Sequence, residues 1–358
     1  MIDRFQKKVA TNDQRIVIAG PGTGKTTTIC EKVRFLVKER GIQPGDIAVL
    51  SFTKEAAENI RSRAGFPVHA STIHSLAYGT ARSLGITSNI IEQEQASLLV
   101  EQFGEPVQIL NLIDLFRLGK VEDREIAGTM LSDIVEQYEG FLGASGAMDF
   151  FQMVQGAKEI LRYKPTRRHV KTFEYVIVDE AQDITVSEYE FVKEIVDWPD
   201  NLVLVGDPYQ SIYSFRGASS IMSELIKAGA KTDILRQTYR YGKRILDYSR
   251  CLVERIDIGV DYEMIPNDIE DEVLTLTREN AKVAAKRLSG ESCAFLARAN
   301  YQADELAGTK CYTGTIHSAK GLEWNNVFLL LKYSHSPEET FVNYVAATRA
   351  KRRLIIIY

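Results

Sequence analysis

RIVIAGPGTGKTTT, residues 15–28, runs four apolar residues, Ile16-Val17-Ile18-Ala19, straight into a glycine-rich turn. The apolar run suits a buried parallel strand, and residues 27–37 suit a helix leaving it. Glycines at 20, 22 and 24 let backbone N–H groups turn inward around phosphate oxygens, at a helix N-terminus that already favours anions. In that cradle, Ala19-Gly20-Pro21-Gly22-Thr23-Gly24-Lys25-Thr26-Thr27, the Lys25 ammonium is placed for the β- and γ-phosphates. The Thr26 hydroxyl is placed for Mg²⁺. The strict pattern has glycine where Ala19 stands, and alanine is small enough for the turn. Strand before and helix after make this a nucleotide site rather than a chance glycine turn.

The chain has 358 residues, room for two or three domains of about 100–200 residues each. With 45% hydrophobic and 26% charged residues, it can bury a sizeable core. The first residues, MIDRFQKKVATND, contain no apolar leader, and no later apolar run is long enough for a bilayer. Cys30, Cys251, Cys293 and Cys311 are scattered without paired spacing. That predicts neither a zinc site nor a disulfide framework, and a cytoplasmic setting. A net charge of −4 argues against coating nucleic acid everywhere and leaves room for a local basic groove.

Strand and helix alternate early: strands over 47–52 and 68–71, helices over 54–63 and 74–84, the mark of a parallel sheet. From 85 to 164 the apolar residues recur at helical spacing without a β-branched run, which predicts a helical insertion. The sheet resumes at 173–178 and 202–205. A second α/β unit is predicted with strands over 234–237, 273–276, 293–297, 327–331 and 354–357. The expected layout is therefore 1–84 with 170–232, an insertion over 85–169, and a second domain over 233–358.

The strand YVIVDE, residues 175–180, ends in two carboxylates. Asp179 can hold Mg²⁺, and Glu180 can accept a proton from an attacking water. Gln210 follows another apolar strand through Gly206-Asp207-Pro208-Tyr209, where its neutral amide can bond both a γ-phosphate and the water.

DEAQD (179–183), GDPYQSIYSFRGA (206–218), LRQTYR (235–240), TIHSAKGLEW (315–324) and YVAATRAK (344–351) then appear in order. Together they resemble the motifs of superfamily 1 helicases of the UvrD/Rep/PcrA type. SFTKEAAENI (51–60) and STIHSLAYG (71–79) are similar to two further motifs. The resemblance implies two RecA-like P-loop domains with ATP between them. It makes Gln6 the residue that recognises adenine and Tyr239 the ring that stacks on it. Arg240 and Arg349 become arginine fingers, joining Lys25, Glu180 and Gln210 as catalytic residues. Elementary charge balance agrees, since Lys25 alone is too little for the charge spread over three equatorial oxygens. Glu323 is implied to bridge the nucleotide and DNA sides.

The same resemblance implies a DNA strand running over Phe52, Thr53, His74, Tyr213, Phe215, Arg216, Thr315 and His317. Aromatic stacking suits single strands, at about 1–3 kcal/mol per base. The implied activity is an ATP- and Mg²⁺-dependent 3′→5′ helicase or translocase. Its partners are single-stranded DNA, junctions with duplex, and replication or repair proteins. Three departures stand out: Thr27 where relatives often have Arg, Thr340-Phe341 where they often have Arg-Arg, and a short stretch at 241–312. The last leaves no room for the relatives' large accessory domain, which favours as the rival a translocase that strips proteins without unwinding. A nucleotide-gated binding module is the remaining alternative, and Glu180 with two candidate fingers argues against it.

Overall fold

The computed structural model describes residues 2–83, 85–86, 88–163, 170–212, 221–288, 291–299, 302, 310–331 and 336–358. In chain order, β1 (Ile16–Ala19), β2 (Ile47–Ser51) and β3 (His69–Thr72) come first. Four two-residue strands follow, β4 (Asn89–Ile90), β5 (Glu125–Ile126), β6 (Thr129–Met130) and β7 (Ala147–Met148). Next are β8 (Tyr175–Asp179), β9 (Leu202–Gly206) and β10 (Thr232–Leu235). The last five are β11 (Glu272–Leu276), β12 (Cys293–Ala297), β13 (Tyr312–Thr315), β14 (Trp324–Leu330) and β15 (Ala350–Ile357).

Two parallel sheets result, ordered β10-β1-β9-β8-β2-β3 and β11-β15-β14-β12-β13. Their strands are mostly continuous apolar runs because both faces are covered. On one face of the first sheet, Val17 and Ala19 pack with Ile29, Val33 and Leu36 of the helix Lys25–Lys38. On the other, a single buried apolar cluster runs from Ile16 and Ile18 through Tyr241 and Ile245 to Val327 and Leu354 of the second sheet. The two lobes therefore share a core.

Four differences from the sequence expectation have physical causes. The strand predicted to open the second unit, over 234–237, is β10, and it pairs with β1 in the first sheet (Ile16↔Thr232). Asp233 is bonded there to Lys8 at 2.5 Å and to Asn12 at 3.2 Å, while Leu235 joins the Val17 layer. The helix Phe150–Arg162, assigned by sequence to the insertion, buries Met153, Val154, Ala157 and Leu161 in the first lobe's core. The insertion's own core is Val100, Ile109, Ile113, Leu131, Ile134 and their neighbours, with short ladders β4–β7 and β5–β6 that its helical spacing did not announce. Finally, Cys293 and Cys311 form a disulfide, against the expectation of none. β12 and β13 are parallel neighbours (Ala294↔Tyr312), so chain folding brings together two cysteines 18 residues apart. Among the described residues no helix is long and apolar enough to cross a membrane.

Candidate nucleotide site between the lobes

A parallel sheet delivers the C-terminal ends of all its strands to one edge. Gly20 follows β1, Asp179 ends β8, Asp207 follows β9 and Phe52 follows β2. Gly22 and Gly24 take φ of +73° and +77°, which opens the cradle and starts the helix Lys25–Lys38. A side chain at either would also collide with a neighbour: Arg240 Cβ lies 2.4 Å from the place of a Gly22 Cβ, and Gln6 Nε2 2.5 Å from that of Gly24.

Lys25 Nζ donates to Glu180 Oε1 at 2.6 Å, and Gln182 Nε2 donates to the other oxygen at 2.6 Å. Glu180 is held at φ +54°, a left-handed conformation that costs a non-glycine residue about 1–3 kcal/mol. Burial acts to raise the Glu180 carboxyl, but Lys25, Lys320 and the Gln182 hydrogen bond together hold the group well below the usual carboxylate range. The neighbouring Asp179 goes the other way, raised to about 7 by burial and by the Glu180 charge. Ionising Asp179 beside the Glu180 carboxylate is therefore unfavourable without a counter-cation. A cation at Asp179 would offset this unfavourable charge, so Asp179 with the Thr26 hydroxyl fits a magnesium–phosphate site.

Gln210 is buried, and Asp207 fixes its amide by accepting from Nε2 at 2.9 Å. The Gln210 Oε1 accepts from Arg349 Nη2 at 2.9 Å. Arg349, 2% exposed, also donates to the Val345 carbonyl at 2.9 Å and to Thr348 Oγ1 at 3.2 Å. Burial, then repulsion from Arg240, pushes its guanidinium down to about 9. Arg240 donates through Nε to Glu323 at 2.8 Å and through Nη1 to the Thr348 carbonyl at 2.9 Å. Glu323 also pairs with Lys351. Arg240 thus lies against the cradle at Gly22, Arg349 reaches Gln210 and Glu323 joins Arg240, with Glu323 and Arg349 standing immediately before β14 and β15.

On the base side, Gln6 Nε2 donates to the Thr23 carbonyl at 3.1 Å, and Tyr239 is 47% exposed beside it, its N–H bonded to the Gly22 carbonyl at 2.8 Å. Thr27, the departure from the family pattern, accepts from Arg63 Nη2 at 3.0 Å.

Of the candidate DNA contacts, Phe52 is 41% exposed, not core, and Thr53 caps the helix Lys54–Ala64 by accepting from Ala56 N–H at 3.1 Å. His74 bonds Glu188 at 3.1 Å and stacks on Phe150 with centroids 4.7 Å apart. Phe52, His74 and Phe150 line a cavity of about 400 Å³ between the first sheet and the insertion, which reaches Asp179 and Glu180. In the second lobe Thr315 accepts from Ser318 N–H at 3.2 Å, and His317 Nδ1 meets Arg298 Nη1 at 3.3 Å. Tyr213, Phe215 and Arg216 lie outside the described residues.

Several groups escaped the sequence reading. Thr238 Oγ1 donates to the Pro21 carbonyl at 2.8 Å, and Lys320 spans the lobes to Asp183 and to the Gln210 carbonyl. Tyr344 donates across the lobes to Asp207 at 3.3 Å. These three sit inside quoted motifs, so their presence was visible and their partners were not. Tyr262 and Met264, packed against Gly20, lie in a stretch with no sequence signal.

Known families and proteins resemble this chain. A family model described as an AAA domain matches residues 4–216. Another, described as the viral superfamily 1 RNA helicase core domain, matches residues 155–358. A probable DNA helicase of Mycoplasma pneumoniae is 26% identical over 99% of this chain and 83% of its own. The ATP-dependent DNA helicase Rep of Escherichia coli is 27% identical over 80% of this chain and 48% of its own. UvrD1 of Mycobacterium tuberculosis is 27% identical over 67% of this chain and 37% of its own. The chain thus spans less than half the length of the last two. A solved complex of an arterivirus nonstructural protein 10 (helicase) with DNA aligns over 99% of this chain and 63% of its own, at 14% identity and TM-score 0.47. On its motifs, its two parallel sheets and these two family matches, the chain belongs to the superfamily 1 helicases, of the UvrD, Rep and PcrA type.

Proposed function

We propose that this chain is a DNA-dependent ATPase that moves 3′→5′ along single-stranded DNA and separates strands at duplex junctions. The observation that carries the proposal is the bond from Arg349 of the second lobe to Gln210 of the first, 2.9 Å long. Guanidinium groups from one lobe complete a phosphate site built by the other, so lobe movement and hydrolysis are one cycle.

Lys25 and the cradle N–H groups bind the triphosphate, Gln6 and Tyr239 position adenine, and Glu180 takes the proton of the attacking water at its carboxylate. Arg240 and Arg349 offset the charge on the transferring phosphoryl, an effect worth about 10³–10⁵ in turnover. Thr26 and Asp179 would hold Mg²⁺, which when bound neutralises phosphate charge. Phe52, Thr53, His74, Thr315 and His317, with Tyr213, Phe215 and Arg216, grip the strand, and alternating grip gives a step.

The rival is a translocase that remodels protein–DNA complexes without unwinding duplex. It is favoured by the short 241–312 stretch, whose described residues hold the helix Lys243–Val253, β11, the helix Arg278–Arg287, β12 and the start of β13. Tailed duplexes of both polarities, with ATP consumption followed in the same tube, test the proposal. Unwinding restricted to 3′-tailed substrates supports it. ATP turnover with protein displacement and no unwinding selects the rival.

A further inference from the structure

We infer that Asp3 is a positioning residue that clamps the two halves of the base site together. The inference deepens the nucleotide-site reading and rests on it. Asp3 Oδ1 accepts from the N–H groups of Phe5 at 2.6 Å and Gln6 at 2.8 Å, capping the helix Arg4–Thr11. Its main-chain N–H donates to Gln6 Oε1 at 3.1 Å, completing a capping box. A cap needs one carboxylate oxygen. The second, Oδ2, accepts from the Tyr239 hydroxyl at 2.5 Å, a residue 236 positions later in the chain.

One residue therefore holds both candidate base contacts. The Gln6 amide is fixed at both ends, Oε1 by Asp3 and Nε2 by the Thr23 carbonyl, leaving one lone pair and one N–H for a ligand. That leftover pair is an acceptor beside a donor, the complement of the adenine N6–H and N7 edge. The Tyr239 backbone is tied to Gly22 and to Asn267, but its ring turns about χ1 and χ2, and the hydroxyl bond to Asp3 sets the angle of its stacking face. Burial and the Asp3 carboxylate raise the phenol to about 12, so it stays a donor at working pH.

Two substitutions separate the clamp from the cap. Asp3→Ser keeps a capping oxygen and loses the reach to Tyr239. Tyr239→Phe keeps the stacking ring and loses the hydroxyl. Steady-state ATPase of the full chain with single-stranded DNA should show KM for ATP raised about tenfold in each single variant, the size expected for one charge-assisted hydrogen bond. The kcat at saturating ATP should stay within about twofold. The double variant should be no worse than the weaker single, since both remove the same bond. Unchanged KM in the singles, or a double whose effect multiplies to about a hundredfold, overturns the clamp while wild-type turnover upholds the nucleotide site. A wild-type chain that binds no fluorescent ATP analogue sinks both.

Discussion

Replacing Glu180 by Gln isolates proton transfer from everything else in the site. The carboxylate accepts from Lys25 and Gln182, each at 2.6 Å, and is held low because Lys25, Lys320 and Gln182 together outweigh burial. A group that acidic is a weak base. A Lys25 that turns onto a phosphate takes part of that suppression with it, and the basicity of Glu180 rises. Glutamine has nearly the same shape and can still accept from Gln182, but it cannot take a proton. The loss of a general base costs about 10²–10⁴ in rate, or about 3–5 kcal/mol on the barrier. Substrate binding should hold or tighten, because Lys25 no longer has a carboxylate competing with phosphate. The assay is single-stranded-DNA-stimulated ATP turnover, paired with equilibrium binding of a fluorescent ATP analogue. Turnover within tenfold of wild type, at equal binding, would remove Glu180 from the role of base.

Other consequences follow from the same geometry. Asp183 is fully buried beside Lys320, and burial raises its carboxyl from 3.8 to about 6. The folded form therefore holds a proton that the unfolded chain has lost between about pH 4 and 6, and this stabilisation disappears as pH rises through 6. Asp183→Asn should gain stability relative to wild type over that window, by up to about 3 kcal/mol, in denaturant titrations; parallel pH profiles would contradict it. Gly20→Ala would place a Cβ 1.8 Å from the Tyr262 hydroxyl and 2.8 Å from Met264 Sδ. Overpacking of that kind costs about 1–3 kcal/mol, and adding Tyr262→Phe should recover part of it if the hydroxyl is the obstacle. With an overall charge of −4, DNA affinity must come from a narrow basic track and should fall steeply with salt; an affinity flat from low to physiological salt would refute that.

Whatever is written locally in the chain was legible before the fold was seen. The apolar run into Gly20–Thr26 fixed strand, turn and helix because adjacent residues make all three, and YVIVDE placed two carboxylates at a strand end for the same reason. Partners distant in sequence were not legible. Nothing in TDIL says that Asp233 will bond Lys8 and draw β10 to the first sheet. Nothing in the spacing of Cys293 and Cys311 says that their strands are neighbours. The amphipathic helix Phe150–Arg162 reads like its insertion neighbours, and only the surface that covers Met153 and Leu161 assigns it to the first lobe. The site divides along the same line: Gln210 announced itself by its motif, whereas the Asp207 bond that orients its amide needed three dimensions.

The central claim is that guanidinium groups of the second lobe finish a phosphate site made by the first. Single-turnover hydrolysis of bound ATP in Arg240→Ala and Arg349→Ala, with DNA present and analogue affinity measured alongside, tests it most directly. The account predicts affinity within a few-fold of wild type and a chemical step slowed by about 10³ or more in each. Hydrolysis within tenfold of wild type in both would contradict it.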